Sequence, residues 1–211
     1  EIMPSLVGSE MCIRDRARAG ARAAGARGIP IRIGVNGGSL EKGLLERCGG
    51  DLARAMAESA RTHVEILNRY DFDDIVLSMK SSSVKTTIDA YRLARELFDY
   101  PLHLGVTEAG TTRAGIVKSA IGIGSLLADG IGDTIRVSLT DDPIREAEAA
   151  KLILRALDLD QNSIQVVSCP TCGRTKIDLI PIAQAVTDAV EHIPAKLKVA
   201  VMGCVCLLYT S

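Results

Sequence analysis

Aromatic residues are scarce in this sequence: it has no tryptophan, two phenylalanines and four tyrosines. A core built on stacked rings is excluded. The interior must rest on Ala, Ile, Leu and Val, within a hydrophobic share of 47%. An excess of charge is missing too. The formal net charge is −1, which argues against a nucleic-acid or anionic-membrane partner recruited by bulk electrostatics. No apolar run approaches the ~20 residues of a membrane span, and the N-terminus lacks the basic-then-apolar pattern of a secretion signal. These absences point to a soluble, cytoplasmic protein with neither nucleic acid nor membrane among its partners. Its 211 residues make one large domain or one and a half ordinary ones.

Sulfur, by contrast, is present in quantity. Six cysteines in a chain of this size and class suit metal binding or reduced thiols better than a disulfide framework. Cys169 and Cys172 lie in Ser168-Cys-Pro-Thr-Cys-Gly-Arg174, and β-branched Ile164, Val166 and Val167 lead into them, so the pair sits at the mouth of a strand. Leu197-Lys-Val-Ala-Val-Met-Gly-Cys204 repeats the arrangement of strand, glycine and cysteine. Two strand ends delivering three thiols to one place can hold zinc, copper(I) or an iron–sulfur cluster. A thioredoxin-like dithiol needs only Cys169 and Cys172 and leaves Cys204 unexplained. A structural zinc site wants four ligands and would have to recruit Cys206. An iron–sulfur cluster needs the three cysteines and one further ligand or an open iron. The spacing does not choose between zinc and cluster.

Upstream, strands and helices alternate. Residues 13–27 are Ala- and Arg-rich with good helix propensity, and Gly28 closes that helix. Strands follow at 29–36, 74–80, 101–108 and 133–140, with helices at about 51–69, 83–98, 113–129 and 142–157. Leu52, Met56, Ala60, Val64 and Leu67 recur every three to four residues and form one apolar stripe. Asp142 and Pro143 supply a cap and a first-turn proline. The alternation predicts parallel βαβ units; four of them are half of a (β/α)8 barrel or most of a doubly wound sheet. Beyond a linker at 158–161, a smaller βαβ-like region carries the cysteines. Its helix, at 177–192, places Ile180, Ala183, Val186, Ala189 and Val190 on one side and stops before Pro194.

Parity within the strands favours the barrel. Buried parallel strands normally read as continuous apolar runs, yet polar residues interrupt these at a period of two: Arg32 and Asn36, Ser78 and Lys80, Arg136 and Ser138, with Glu108 closing the third strand. Residues two apart share a face, so one face is polar near the C-terminal strand ends, where barrel active sites sit. Arg forks bind phosphate oxygens bidentately and Lys binds them as a point charge. The three cations therefore suggest a phosphorylated substrate. Glu108 beside them is placed as a general acid or base, or as an ion-pair partner of one cation. His103, early in its strand and of opposite parity to Glu108, reads as packing. His63 reads as a surface residue, and His192 as a cation suited to a helix end. Cys48, in a Gly-rich loop without a partner, reads as incidental. A competing interpretation is a zinc-stabilised module that holds a phosphorylated ligand without redox chemistry.

Five motifs taken together resemble one family. They are Ile31-Arg-Ile-Gly-Val-Asn-Gly-Gly-Ser39, Leu102-His-Leu-Gly-Val-Thr-Glu-Ala-Gly110, Lys118-Ser-Ala-Ile-Gly-Ile-Gly124, Gly130-Ile-Gly-Asp-Thr-Ile-Arg-Val-Ser-Leu139 and Ser168-Cys-Pro-Thr-Cys-Gly-Arg174. All are similar, in family order and across residues 17–205, to the 4-hydroxy-3-methylbut-2-enyl diphosphate synthases of the non-mevalonate isoprenoid pathway. The resemblance implies the second half of a (β/α)8 barrel over residues 17–158, followed by part of an α+β iron–sulfur domain over 162–205. It implies reductive ring opening of 2-C-methyl-D-erythritol 2,4-cyclodiphosphate, with electrons from flavodoxin or ferredoxin through a 4Fe-4S cluster, in a homodimer. Cys169, Cys172 and Cys204 become the cluster ligands. Arg32, Asn36, Lys80, Arg136 and Ser138 become substrate-binding residues, and Glu108 the acid that assists C–O cleavage.

Two departures qualify the resemblance. The family's first barrel half is absent before residue 17. After Cys204-Val205 its Asn-Gly-Pro-Gly-Glu, with the fourth iron ligand, is replaced by Cys206-Leu-Leu-Tyr-Thr-Ser. Residues 1–16 and 206–211 resemble translated sequencing adapter, which would leave Cys12 and Cys206 without function. The expectation is an internal fragment, inactive as written, of an enzyme whose intact form is active.

Overall fold

The computed structural model describes residues 10–204, with side chains from Arg16 onward. Cys206, the Cys12 side chain and most of the two expected tails lie outside the described residues. The chain divides into two compact units, residues 1–150 and 151–211.

The first unit alternates helices and strands: α1 (Glu10–Gly25), β1 (Ile31–Asn36), α2 (Leu44–Arg47), α3 (Leu52–Asn68), β2 (Ile75–Lys80), α4 (Val84–Leu97), β3 (His103–Gly105), α5 (Thr112–Ala128), β4 (Thr134–Arg136) and the start of α6 (Pro143–Ala156). α1 begins three residues earlier than composition suggested, and the one-turn α2 was not anticipated in its Gly-rich loop. β1 and β2 pair in parallel from Ile31 opposite Ile75 to Asn36 opposite Lys80. β3 and β4 pair in parallel from His103 opposite Thr134 to Gly105 opposite Arg136. A parallel bridge between Leu77 and Leu102 joins the two pairs. The strands thus lie side by side in chain order, with none of the reversal that marks a doubly wound sheet.

β3 and β4 are shorter than the sequence predicted, and the reason is local. The Tyr91 hydroxyl, carried by α4, accepts from the Met79 N–H at 3.0 Å and donates to the His103 carbonyl. The Asp133 carboxylate takes the Leu102 N–H at 2.7 Å. Side chains here supply bonds that a longer ladder would otherwise make, so the buried backbone stays satisfied.

The apolar stripe of α3 is buried as predicted at Met56, Ala60, Val64 and Leu67, while Leu52 is half-buried. With Leu77, Met79, Leu104, Val106, Ile123 and Leu126 these side chains make the core. Burying each large aliphatic contributes about 1.5–3 kcal/mol. Caps fix the helix starts: the Arg54 N–H donates to Asp51 at 3.1 Å, the Thr86 N–H to Ser83 at 3.3 Å, and the Ile144 N–H to Asp142 at 2.9 Å. The last confirms the predicted Asp142-Pro143 start.

The second unit holds the rest of α6, then β5 (Ile164–Ser168), α7 (Leu179–Val190) and β6 (Leu197–Val201). β5 and β6 pair in parallel, Ile164 opposite Leu197 and Ser168 opposite Val201. One expectation fails here. Ile180 is 70% exposed and Ala189 is exposed as well, and Leu179 is the buried residue that starts the apolar side of α7. Leu179, Ala183, Val186 and Val190 follow steps of four, three and four, which tracks the 3.6-residue turn better than a stripe begun at Ile180. Among the described residues, no helix is long and apolar enough to cross a membrane.

Tyr91 has no exposed surface, and burial pushes its hydroxyl up to about 12. Tyr91→Phe strands one buried N–H and one buried carbonyl and should cost about 1–3 kcal/mol. A urea titration reads this as a lower midpoint; an unchanged midpoint would show that the hydroxyl does not hold β2 to β3.

Candidate functional site

Strand register gathers the predicted cations on one face of the sheet. Arg32, Gly34 and Asn36 stand opposite Val76, Ser78 and Lys80. Gly105 stands opposite Arg136. A Cβ added at Gly105 would lie 3.5 Å from the Lys80 Cδ and 3.0 Å from the Arg136 carbonyl oxygen. Glycine at 105 therefore avoids a tight contact with the β4 backbone, while the Lys80 stem lies beside it at ordinary contact distance. Asn36, Lys80, Gly105 and Arg136 form a row across the C-terminal strand ends. Ser138 follows β4 by two residues and is half-buried. The opposite face carries Ile33, Val35, Leu77, Met79 and Leu104, all buried.

The three cations act on one another. Burial, then Arg136 and Arg32, lowers the Lys80 ammonium from 10.5 to about 8. Among the described residues, no carboxylate stands within 4.0 Å of Arg32, Lys80 or Arg136. A lysine pKa below its unfolded value means that the fold disfavours the charged form. The resulting penalty is present below about pH 8 and fades as pH rises towards the unfolded value.

His103 belongs to this face, contrary to its parity with Glu108. β3 ends at Gly105, so alternation cannot be carried forward to residue 108. Within β3 the odd positions, His103 and Gly105, lie beside Thr134 and Arg136. Its ring is 9% exposed, and Nδ1 is 2.8 Å from the Thr134 hydroxyl. Burial, then Arg32, Lys80 and Arg136, lowers it from 6.5 to about 4. It stays neutral in the fold while the unfolded chain protonates. It therefore stabilises the protein above about pH 6.5, and that contribution is lost as pH falls through 4. His63 makes local contacts instead, with Nδ1 2.8 Å from the Ser59 carbonyl and 3.7 Å from Glu41.

Glu108 is exposed, three residues beyond the end of β3, and its φ is +53°. The left-handed region is uncommon for residues other than glycine, asparagine and aspartate. Such backbone typically costs about 1–3 kcal/mol and clusters at functional sites. No ion pair within 4.0 Å joins Glu108 to the three cations.

In the second unit the cysteine segments are knitted together. The Cys169 N–H extends the β5–β6 ladder to the Val201 carbonyl at 3.3 Å. The Gly203 N–H points at the Cys169 sulfur at 3.4 Å, and the Lys176 N–H donates to the Gly203 carbonyl at 3.1 Å. A Cβ at Gly203 would stand 2.7 Å from the Thr175 methyl, so only glycine allows this approach. Thr175 donates to the Cys172 sulfur at 3.9 Å. The Arg174 N–H, then the Thr175 hydroxyl and the Arg174 guanidinium, hold the Cys172 thiol below its ordinary range. Cys172 is exposed; Cys169, Cys204 and Cys48 are half-buried, and these four thiols are free. Among the described residues, no three His, Cys, Asp or Glu side chains are gathered closely enough to hold a metal ion. The sulfurs instead take bonds from Gly203 and Thr175. Thiols with amide and hydroxyl donors aimed at them nonetheless fit a soft metal or an iron–sulfur cluster.

If Arg136 presses on Lys80 as the register implies, Arg136→Gln should raise the Lys80 pKa above 8, short of 10.5 because burial remains. NMR titration of ε-13C-labelled lysine measures this; an unmoved Lys80 would separate the two side chains.

Comparison with known proteins matches residues 2–151 to the GcpE TIM-barrel domain and residues 165–206 to the GcpE protein C-terminal domain. The chain is 57% identical over 190 residues to the 4-hydroxy-3-methylbut-2-en-1-yl diphosphate synthase (flavodoxin) of Ruminiclostridium cellulolyticum, covering 90% of this chain and 54% of that protein. It is 55% identical over 204 residues to the enzyme of that name from Caldanaerobacter subterraneus, covering 97% of this chain and 56% of the relative. The figures for Clostridium tetani are 53% over 204 residues, 97% and 57%. The chain spans about half the length of the curated relatives it matches. With both family domains matched in order, this chain belongs to the GcpE family, that of the 4-hydroxy-3-methylbut-2-enyl diphosphate synthases.

Proposed function

We propose that this chain is part of an enzyme that reductively opens the ring of 2-C-methyl-D-erythritol 2,4-cyclodiphosphate, giving 4-hydroxy-3-methylbut-2-enyl diphosphate for isoprenoid synthesis. The observation that carries the reading is the cluster of Arg32, Lys80 and Arg136, with no described carboxylate against it. Such a face stores repulsion that a diphosphate relieves. The four βα units are then the second half of a (β/α)8 barrel, residues 17–158. The cysteine region, residues 162–205, is part of an α+β iron–sulfur domain. The whole enzyme works in the cytoplasm as a homodimer, with flavodoxin, named for the relatives, or ferredoxin as electron donor.

Within this reading, each residue has a role. Arg32, Lys80 and Arg136 neutralise the diphosphate, the arginines by paired N–H bonds and the lysine as a point charge. Asn36 and Ser138 add neutral donors that fix its orientation. Lys80 titrates near 8, and the bound anion favours its charged form, so binding weakens as pH rises past that value. Glu108 delivers a proton to the oxygen leaving the ring. Cys169, Cys172 and Cys204 hold a 4Fe-4S cluster, which when bound supplies the electrons for the reduction.

The test is a chimera in which residues 17–204 replace the corresponding stretch of the Ruminiclostridium cellulolyticum relative. Prepared without oxygen in the presence of iron and sulfide, it should be brown and bleach with dithionite. Colourless protein that retains zinc would replace the redox reading by a zinc-stabilised module holding a phosphorylated ligand. In the same chimera Glu108→Gln should leave the colour intact and cut kcat by roughly 10²–10⁴-fold. Turnover within about threefold of the parent, far below that range, would remove Glu108 from proton transfer.

A further inference from the structure

On the cation face, two buried polar atoms among the described residues have no hydrogen-bond partner, the Ser78 hydroxyl and Nε2 of His103. His103 is 9% exposed. Its Nδ1 is engaged by the Thr134 hydroxyl at 2.8 Å, and its Nε2 is buried without a hydrogen-bond partner. Leaving a buried donor or acceptor unpaired typically costs about 1–3 kcal/mol. A packing role would be met more cheaply by an aliphatic residue, as at Leu104 next in the chain.

Position adds a second argument. His103 lies one step below Gly105, the glycine that stands opposite Arg136 and beside the Lys80 stem. On β1, Gly34 occupies the position opposite Ser78, and a side chain there would meet nothing within 4 Å. Below the row of Asn36, Lys80 and Arg136, β1 carries only Gly34 and β2 the small Ser78. His103 stands at the same level on β3, with the Thr134 hydroxyl engaging its ring.

We infer that His103 is a further ligand-positioning residue of the anion site, its neutral ring donating from Nε2–H to an oxygen of the phosphorylated ligand while the Thr134 hydroxyl donates to Nδ1. Burial, then the nearby cations, keeps the ring uncharged, so it contributes direction more than charge. This inference rests on the anion-site reading above and adds a residue to it.

Two substitutions separate ligand positioning from packing. Asn at residue 103 offers an amide near the Nδ1 position and keeps the Thr134 bond without Nε2. Gln extends its amide to the Nε2 position. The probe is inorganic pyrophosphate, measured by calorimetry on the chimera, so the readout does not depend on the cluster. His103→Asn should weaken binding about ten- to a hundred-fold, the scale of one hydrogen bond to a charged group. His103→Gln should recover most of that loss. In the parent, the 15N resonance of Nε2 should shift on adding pyrophosphate while that of Nδ1 holds, a measurement that needs no variant. Binding unchanged in His103→Asn, or an unmoved Nε2 resonance at saturation, would overturn the assignment. Lys80→Met in parallel tests the underlying site. If Lys80→Met binds as the parent does, the anion-site reading falls; if it loses binding while His103→Asn does not, only the role of His103 falls.

Discussion

Three positive charges held on one face of a parallel sheet set the terms for the first unit. Burial, and then repulsion from Arg136 and Arg32, brings the Lys80 ammonium down to about 8. No described carboxylate stands within 4.0 Å to relieve them. An unliganded fold can bear that arrangement only if other interactions fix the strands. The apolar side chains on the opposite face and the capped helices supply them. The Tyr91 hydroxyl, set between β2 and β3, adds a fixed point beneath the charges. Under the proposed function, an arriving anion removes that unfavourable term, so binding draws on repulsion already stored in the fold.

The second unit solves a different problem: how to bring separate chain segments to one edge. Parallel pairing of β5 and β6 puts Ser168 beside Val201, so the residues that follow each strand emerge together. Gly203 permits the close approach of Thr175, and its own N–H reaches the Cys169 sulfur. Amide and hydroxyl donors favour the thiolate over the thiol, the form in which sulfur ligates metals. For Cys172 the donor that lowers the thiol most is the backbone of Arg174, two residues on. The short segment Cys172–Thr175 thus carries its own means of activating a thiol.

Strand and helix order was readable because period and capping are local properties. The α3 stripe, the Asp142-Pro143 helix start and the alternation of elements need no knowledge of distant contacts, and the structure has them where the sequence indicated. Errors arose where a local rule was extended past its element. Glu108 was assigned to a strand face although β3 stops at Gly105, and Ile180 was assigned to a buried side that begins at Leu179. Strand ends and helix phases are decided by which hydrogen bonds and contacts the rest of the fold supplies.

Residue chemistry and its spacing were fixed by sequence alone: cations at period two, cysteines after two strands, and motifs that identify the family. Tertiary structure alone decided which strand pairs with which and in what register. Register made His103 a neighbour of Thr134, and put Gly105 opposite Arg136 and beside the Lys80 stem. No single-strand pattern carries that information, because a one-residue slip between neighbours reverses every facing side chain. The hydrogen bonds that fix register join residues far apart in the chain.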